Sequence, residues 1–83
     1  MYVVIKGLSY NEVYDYLEDA LRSVPDWEDD IYIDDYGYVD ADGGDMRRHV
    51  EIDAGVGYDW EDLFVEAIED LADEEPDAEI DFL

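Results

Sequence analysis

Ile31-Tyr-Ile-Asp-Asp-Tyr-Gly-Tyr-Val-Asp40-Ala-Asp-Gly-Gly-Asp45-Met-Arg-Arg-His-Val-Glu-Ile-Asp53 is the stretch that decides the fold. Its two flanks are rich in β-branched and aromatic residues and alternate in polarity, and Asp40 to Asp45 between them has strong turn chemistry. This reads as an antiparallel hairpin. The first strand runs from Ile31 to about Val39, with Ile31 and Ile33 inward and Tyr32, Asp34, Tyr36 and Tyr38 on the other face. Gly37 marks a bulge. The second strand runs from Met46 to Asp53, with Val50 and Ile52 inward and His49 and Glu51 outward.

Working outward, each side of the hairpin carries an amphipathic helix and a strand. Tyr2 to Lys6 is a β-branched, aromatic strand. Ser9 and Glu12 form an S-x-x-E capping box that starts a helix at Tyr10. Val13, Leu17, Ala20, Leu21 and Val24 make its buried stripe, and Pro25 ends it. Asp26 to Asp30 reads as a loop holding Trp27. After the hairpin, Ala54 to Tyr58 is a loop, and Asp59 suits the N-cap of a second helix from Trp60 to Asp73. Leu63, Phe64, Ala67, Ile68 and Leu71 form its apolar stripe. Ala78 to Leu83 alternates apolar and acidic residues, a short last strand. The order β-α-β-β-α-β implies one α+β domain over residues 1–83 with a ferredoxin-like βαββαβ arrangement, an antiparallel sheet with two helices on one face. Without the last strand it would be three strands and two helices.

The charge is the second decisive feature. The 83 residues include 27 Asp or Glu and four Lys or Arg, a formal charge of −23. Self-repulsion of this size opposes the compact state, in a domain whose core supplies only about 3–5 kcal/mol. Such acidity often means disorder, but hydrophobic residues make up 48% of the chain, and they are periodic. There is no cysteine, so no disulfide or thiolate metal site contributes. No apolar run reaches the roughly 20 residues that span a bilayer. An anionic lipid surface would repel the chain, and the N-terminus lacks the basic and apolar regions of a secretory signal. A cytoplasmic location is expected.

The acids fall on the solvent faces of the elements: Glu12, Asp15, Glu18 and Asp19 on the first helix, and Glu61, Asp62, Glu66, Glu69, Asp70 and Asp73 on the second. Like charges meet at i, i+4 in Asp15/Asp19, Asp62/Glu66, Glu66/Asp70 and Glu69/Asp73, each costing about 0.2–0.5 kcal/mol. Glu18/Arg22 is the one attractive pair at that spacing. Carboxylates ~6 Å apart along a helix approximate the regular charge of a nucleic-acid strand, one per ~3.4 Å of rise. A surface so patterned suits a cationic groove, and long-range attraction would speed its association.

In Asp26-Trp-Glu-Asp-Asp30, Asp59-Trp-Glu-Asp62, Glu66-Ala-Ile-Glu-Asp70 and the Tyr/Asp mixture from Tyr32 to Asp42, the chain resembles the small acidic nucleic-acid mimics of phages and mobile elements, the antirestriction and anti-CRISPR type. The resemblance is one of size and character along the whole chain. It implies a cytoplasmic, non-catalytic inhibitor that occupies the nucleic-acid site of a host defence nuclease or similar protein.

The candidate partner-binding residues are the helix acids Glu12, Asp15, Glu18, Asp19, Glu61, Asp62, Glu66, Glu69 and Asp70. The hairpin residues Asp34, Asp35, Tyr36, Tyr38, Asp40, Asp42 and Asp45 form a second surface. Trp27 and Trp60 would be apolar anchors if exposed. The tyrosines suit a protein contact, since they bury area at low entropy cost, or they simply shield the sheet from water. The expected partner is a basic nucleic-acid-binding protein or nuclease complex, with no direct nucleic acid and no membrane.

Two other accounts of the charge stay open. A cytoplasm at molar salt favours acidic, lysine-poor proteins, because the Debye length there is ~3 Å. The chain could also be the acidic subunit of a complex with one basic partner. Asp40-x-Asp42 opens like a calcium loop, but Gly44 and Asp45 stand where an EF-hand needs an oxygen ligand and a glycine. No metal or cofactor is expected. His49 is the single histidine, and no nucleophile set or phosphate-cradling loop is present, so catalysis is not expected. Arg47, Arg48 and His49 read as neutralising acids on the hairpin. The βαββαβ order is shared with RNA-recognition domains, but their aromatic signature and basic surface are missing.

Overall fold

The computed structural model describes residues 1–40, 46–55 and 60–83, Asp40 by its backbone only. The elements are β1 (Tyr2–Lys6), α1 (Tyr10–Ala20), α2 (Trp27–Asp30), β2 (Ile31–Asp40), β3 (Met46–Ala54), α3 (Glu61–Glu74) and β4 (Glu79–Phe82). The strands form one four-stranded sheet in the order β2-β3-β1-β4, antiparallel at every pairing. The chain is thus a small α+β protein. The last strand forms, pairing Val3 with Phe82 and Ile5 with Ile80.

The alternation of the strands sends one set of side chains to a shared core. Val3, Ile5, Ile31, Val50, Ile52 and Ala54 from the sheet pack with Val13, Leu17 and Leu21 from the first helix and its cap, and with Phe64, Ala67, Ile68 and Leu71 from α3. Each large side chain so buried contributes about 1.5–3 kcal/mol of transfer free energy. No polar or charged side chain among the described residues is buried with them. Among the described residues the repulsive charge is therefore confined to the surface.

The Ser9 cap forms as its sequence implies. Ser9 Oγ accepts from the Glu12 amide at 3.2 Å, and the Glu12 carboxylate accepts from the Ser9 amide at 3.4 Å. The other end of α1 differs from expectation. The helix stops at Ala20 with Leu21 as its cap, short of Pro25. Proline disfavours helical backbone in the residue before it. The chain turns instead, with the Val24 amide on the Leu21 carbonyl and the Trp27 amide on the Val24 carbonyl.

Those turns lead into α2, which corrects the reading of Asp26–Asp30 as a loop. One helical turn folds Trp27 back onto the core, where it is 4% exposed. Tyr14 stacks on Tyr10 at 5.9 Å between ring centroids and tilts against Trp27 at 5.6 Å. Trp27 is therefore a core residue, and its place among the candidate binding anchors is withdrawn. Its large apolar surface outweighs the acids beside it, which reach solvent. For α3, Trp60 occupies the N-cap position without a side-chain cap bond. The proposed cap Asp59 lies outside the described residues, as do the Gly55–Tyr58 loop beyond Gly55 and the turn from Ala41 to Asp45.

Gly37 does form a bulge, and it has a consequence for facing. Asp35 pairs with Val50 but Tyr38 pairs with Arg48, so β2 gains one residue between them. Gly37 takes φ 67°, a left-handed backbone that glycine adopts without strain, and its amide donates to Asp35 Oδ1 at 2.8 Å. Because side chains alternate with period two, one extra residue reverses every later facing. Tyr32, Asp34 and Tyr36 face away from the helices as expected. Tyr38 does not: it shares the face of Arg48 and Val50, where the Arg48 guanidinium lies 4.8 Å from its ring centroid.

Candidate functional site

Two surfaces result, and they differ sharply in charge. The helix layer carries Glu12, Asp15, Glu18 and Asp19 on α1 and Glu61, Asp62, Glu66, Glu69, Asp70, Asp73 and Glu74 on α3, and neither helix contains a Lys, Arg or His. All of these are exposed except Glu61, which is half-buried. Acids sit even in the last turn of each helix, where the macrodipole favours cations by about 0.3–1 kcal/mol per charge. Arg22, just beyond α1, bonds Asp19 at 2.7 Å with both side chains largely exposed. That is the i, i+3 neighbour, in place of the expected Glu18.

The two helices converge on a groove of about 320 Å³ lined by Tyr16, Asp19 and Ala20 from α1 and Leu63, Glu66, Ala67, Asp70 and Glu74 from α3. Its floor is apolar and its rims are carboxylates. The Tyr16 hydroxyl is held above its ordinary pKa, chiefly by burial and then by Glu74, Asp70, Asp19 and Asp73. That combination registers the negative potential of the groove. Glu74 is not among the sequence candidates, and it lies one residue past the expected helix end at Asp73. The signal was present, since Glu74 continues the i, i+4 row from Glu66 and Asp70.

The hairpin candidates do not form one site. Asp34 and Tyr36 lie on the open face of the sheet, while Asp35 and Tyr38 lie on the helix-bearing face. The Asp40 side chain, Asp42 and Asp45 lie outside the described residues. Trp60 is half-buried and packs against the core, so only part of its ring is open to a partner.

The open face of the sheet is mixed in charge. Tyr2 donates to Glu51, whose other oxygen lies 2.7 Å from His49 Nε2. Tyr36 meets His49 edge-on at 5.4 Å. Glu51 is held below its ordinary pKa, first by the Tyr2 hydrogen bond and also by His49, with desolvation opposing. The same bond raises the Tyr2 hydroxyl. Among the described residues Arg47 pairs not with a hairpin acid but, across the sheet, with Glu79 on β4 at 3.0 Å. Only His49 of the three bases pairs with a hairpin carboxylate among the described residues, Arg48 being engaged by Tyr38.

Among the described residues no group of three His, Asp or Glu side chains is arranged to hold a metal ion, and no helix is long and apolar enough to cross a membrane. What the helix layer offers chemically is a fixed array of carboxylates around a shallow apolar floor. Comparison of the chain with protein-family models, with curated proteins and with solved structures yields no match.

Proposed function

We propose that the chain is a non-catalytic acidic binding protein that mimics nucleic acid. It would block the cationic DNA- or RNA-binding site of a host defence nuclease or similar protein, in the manner of antirestriction and anti-CRISPR inhibitors, in the cytoplasm. The observation that carries the reading is the helix layer: α1 and α3 present carboxylates and no base, with a carboxylate-rimmed groove between them. Glu66, Asp70 and Glu74 on one side and Asp15 and Asp19 on the other would stand in for phosphates. The strand order β2-β3-β1-β4 supports the ferredoxin-like arrangement as the scaffold, with α2 as an added turn.

Segregation of charge favours this over adaptation to molar salt. General halophilic acidity would be interspersed with bases on every solvent face, whereas Lys6, Arg47 and His49 lie on the open face of the sheet and the two helices hold no base of their own, Arg22 beyond α1 bonding only Asp19. The test is displacement of a labelled DNA duplex from basic nucleases, read as salt is raised. Competition that weakens steeply with salt supports mimicry, because both competitors act through charge. Failure to displace DNA from any nuclease at low salt removes it. Circular dichroism at 0.1 M salt separates the halophilic account, which requires loss of the fold there.

A further inference from the structure

We propose that the open face of the sheet is a self-complementary surface on which a second copy of this chain docks. The register sorts this face into rows that cross the strands. Tyr32, Asp53 and Tyr2 lie side by side at one end. Next come Asp34, Glu51, Val4 and Asp81, then His49, Lys6 and Glu79, with the Tyr36 ring against His49. Val39 and Arg47 close the other end. Among the described residues the first two rows hold four acids and no base, while the last two hold Lys6, Arg47 and His49 with one acid, Glu79, which bonds Arg47 within the chain. The face is therefore polarised along the strand direction.

A two-fold axis in the interface, perpendicular to the strands, reverses that direction and lays the basic rows of one copy over the acidic rows of the other. On β3 it sets Arg47 over Asp53 of the second copy, and on β2 it sets Val39 over Tyr32. Such an isologous contact closes on itself as a dimer. Apolar surface is available to it: Tyr32 is 67% exposed, Tyr36 52% and Val39 39%. Face-to-face sheet packing at about 10 Å brings these side chains together. A uniformly basic partner would instead set its cations against Lys6 and Arg47, so this face and the helix layer suit different occupants. The inference does not depend on what the helix layer binds.

Salt gives it a distinctive sign. Two chains of −23 repel at long range, so screening strengthens the dimer, whereas it weakens binding to a basic partner. Sedimentation velocity over a range of protein concentration, at ~0.05 M and ~0.5 M NaCl, should show a monomer–dimer equilibrium that shifts toward dimer at the higher salt. Arg47→Glu and Asp53→Arg should each weaken it by at least about tenfold, since each places two like pairs in the symmetric contact. An equimolar mixture of the two should restore a heterodimer, with circular dichroism showing both variants folded. If one variant fails to fold, Tyr32→Ser replaces it, with the same weakening expected. A chain that stays monomeric at ~1 mM in both salts, when even millimolar affinity would register, overturns the proposal. So does a dimer indifferent to these substitutions, or a mixture that stays monomeric.

Discussion

Glu66→Lys is expected to make the protein more stable while weakening its binding to a basic partner. Glu66 is exposed at the middle of α3, with Asp62 one turn before it and Asp70 one turn after. It also lines the groove opposite Asp19. Each of the two i, i+4 pairs now costs about 0.2–0.5 kcal/mol, and each becomes favourable by a similar amount when lysine replaces glutamate. The acid-before-base order of Asp62 and the new lysine is the better orientation of the two. The change therefore stabilises by about 1–2 kcal/mol at low salt, and a domain of this size gains roughly 4–8 °C in Tm for each kcal/mol. In 1 M salt the Debye length of ~3 Å is shorter than the ~6 Å between successive turns, so most of the gain should vanish. Thermal melts by circular dichroism at low and high salt measure both. A Tm that falls at low salt, or a gain undiminished at high salt, would refute the argument that the acidic row opposes folding.

Three more outcomes follow from named contacts. Gly37→Val should destabilise by about 1–2 kcal/mol, the cost of left-handed backbone for a residue with a Cβ, because no atom lies within 4 Å of the added Cβ to clash; Gly37→Asn should cost less in the same urea titration. Trp27→Ala should cost about 3–5 kcal/mol, enough to unfold so small a domain, while Trp27→Phe stays folded and binds a basic partner as before, because Trp27 lies in the core. Tyr14 donates to Glu28 at 2.5 Å, and its hydroxyl is pushed up from 10.0 to about 12 by that bond, by desolvation and by the charges of Glu28 and Glu18. Its contribution to stability is complete below pH 10 and is lost as pH rises toward about 12; absorbance titration of Glu28→Gln should move that component back toward the ordinary tyrosine range.

The sequence carried the layout of the fold through local signals. The capping box at Ser9, the turn chemistry after β2 and the two apolar stripes each act within a few residues, so α1, the hairpin and α3 were legible. The facts it hid depend on distant partners or on counting. Gly37 announced a bulge, but the reversal of Tyr38 follows only once Asp35 is paired with Val50 and Tyr38 with Arg48. Trp27 sits among acids, so local polarity suggested solvent; its burial requires the turn at Val24 and the packing of Tyr14. Arg47 found its partner on β4, which no local reading of the hairpin could supply.

The helix acids were legible as exposed rows from their spacing alone. Their meeting across one groove, with Asp19 from α1 facing Glu66 and Asp70 from α3, depends on how the helices pack against the sheet. The polarised open face was hidden for the same reason, since its rows join residues from four strands.

The central claim is that the helix layer substitutes for a nucleic-acid backbone. It is tested most directly by displacing a fluorescent duplex from a basic nuclease with the natural chain and with the double variant Glu66→Lys, Asp70→Lys, at ~50 mM and ~200 mM salt. The account predicts displacement by the natural chain that weakens at the higher salt, and little or none by the folded double variant. Equal displacement by the two proteins, or none by the natural chain at the lower salt across the nucleases tried, would contradict it.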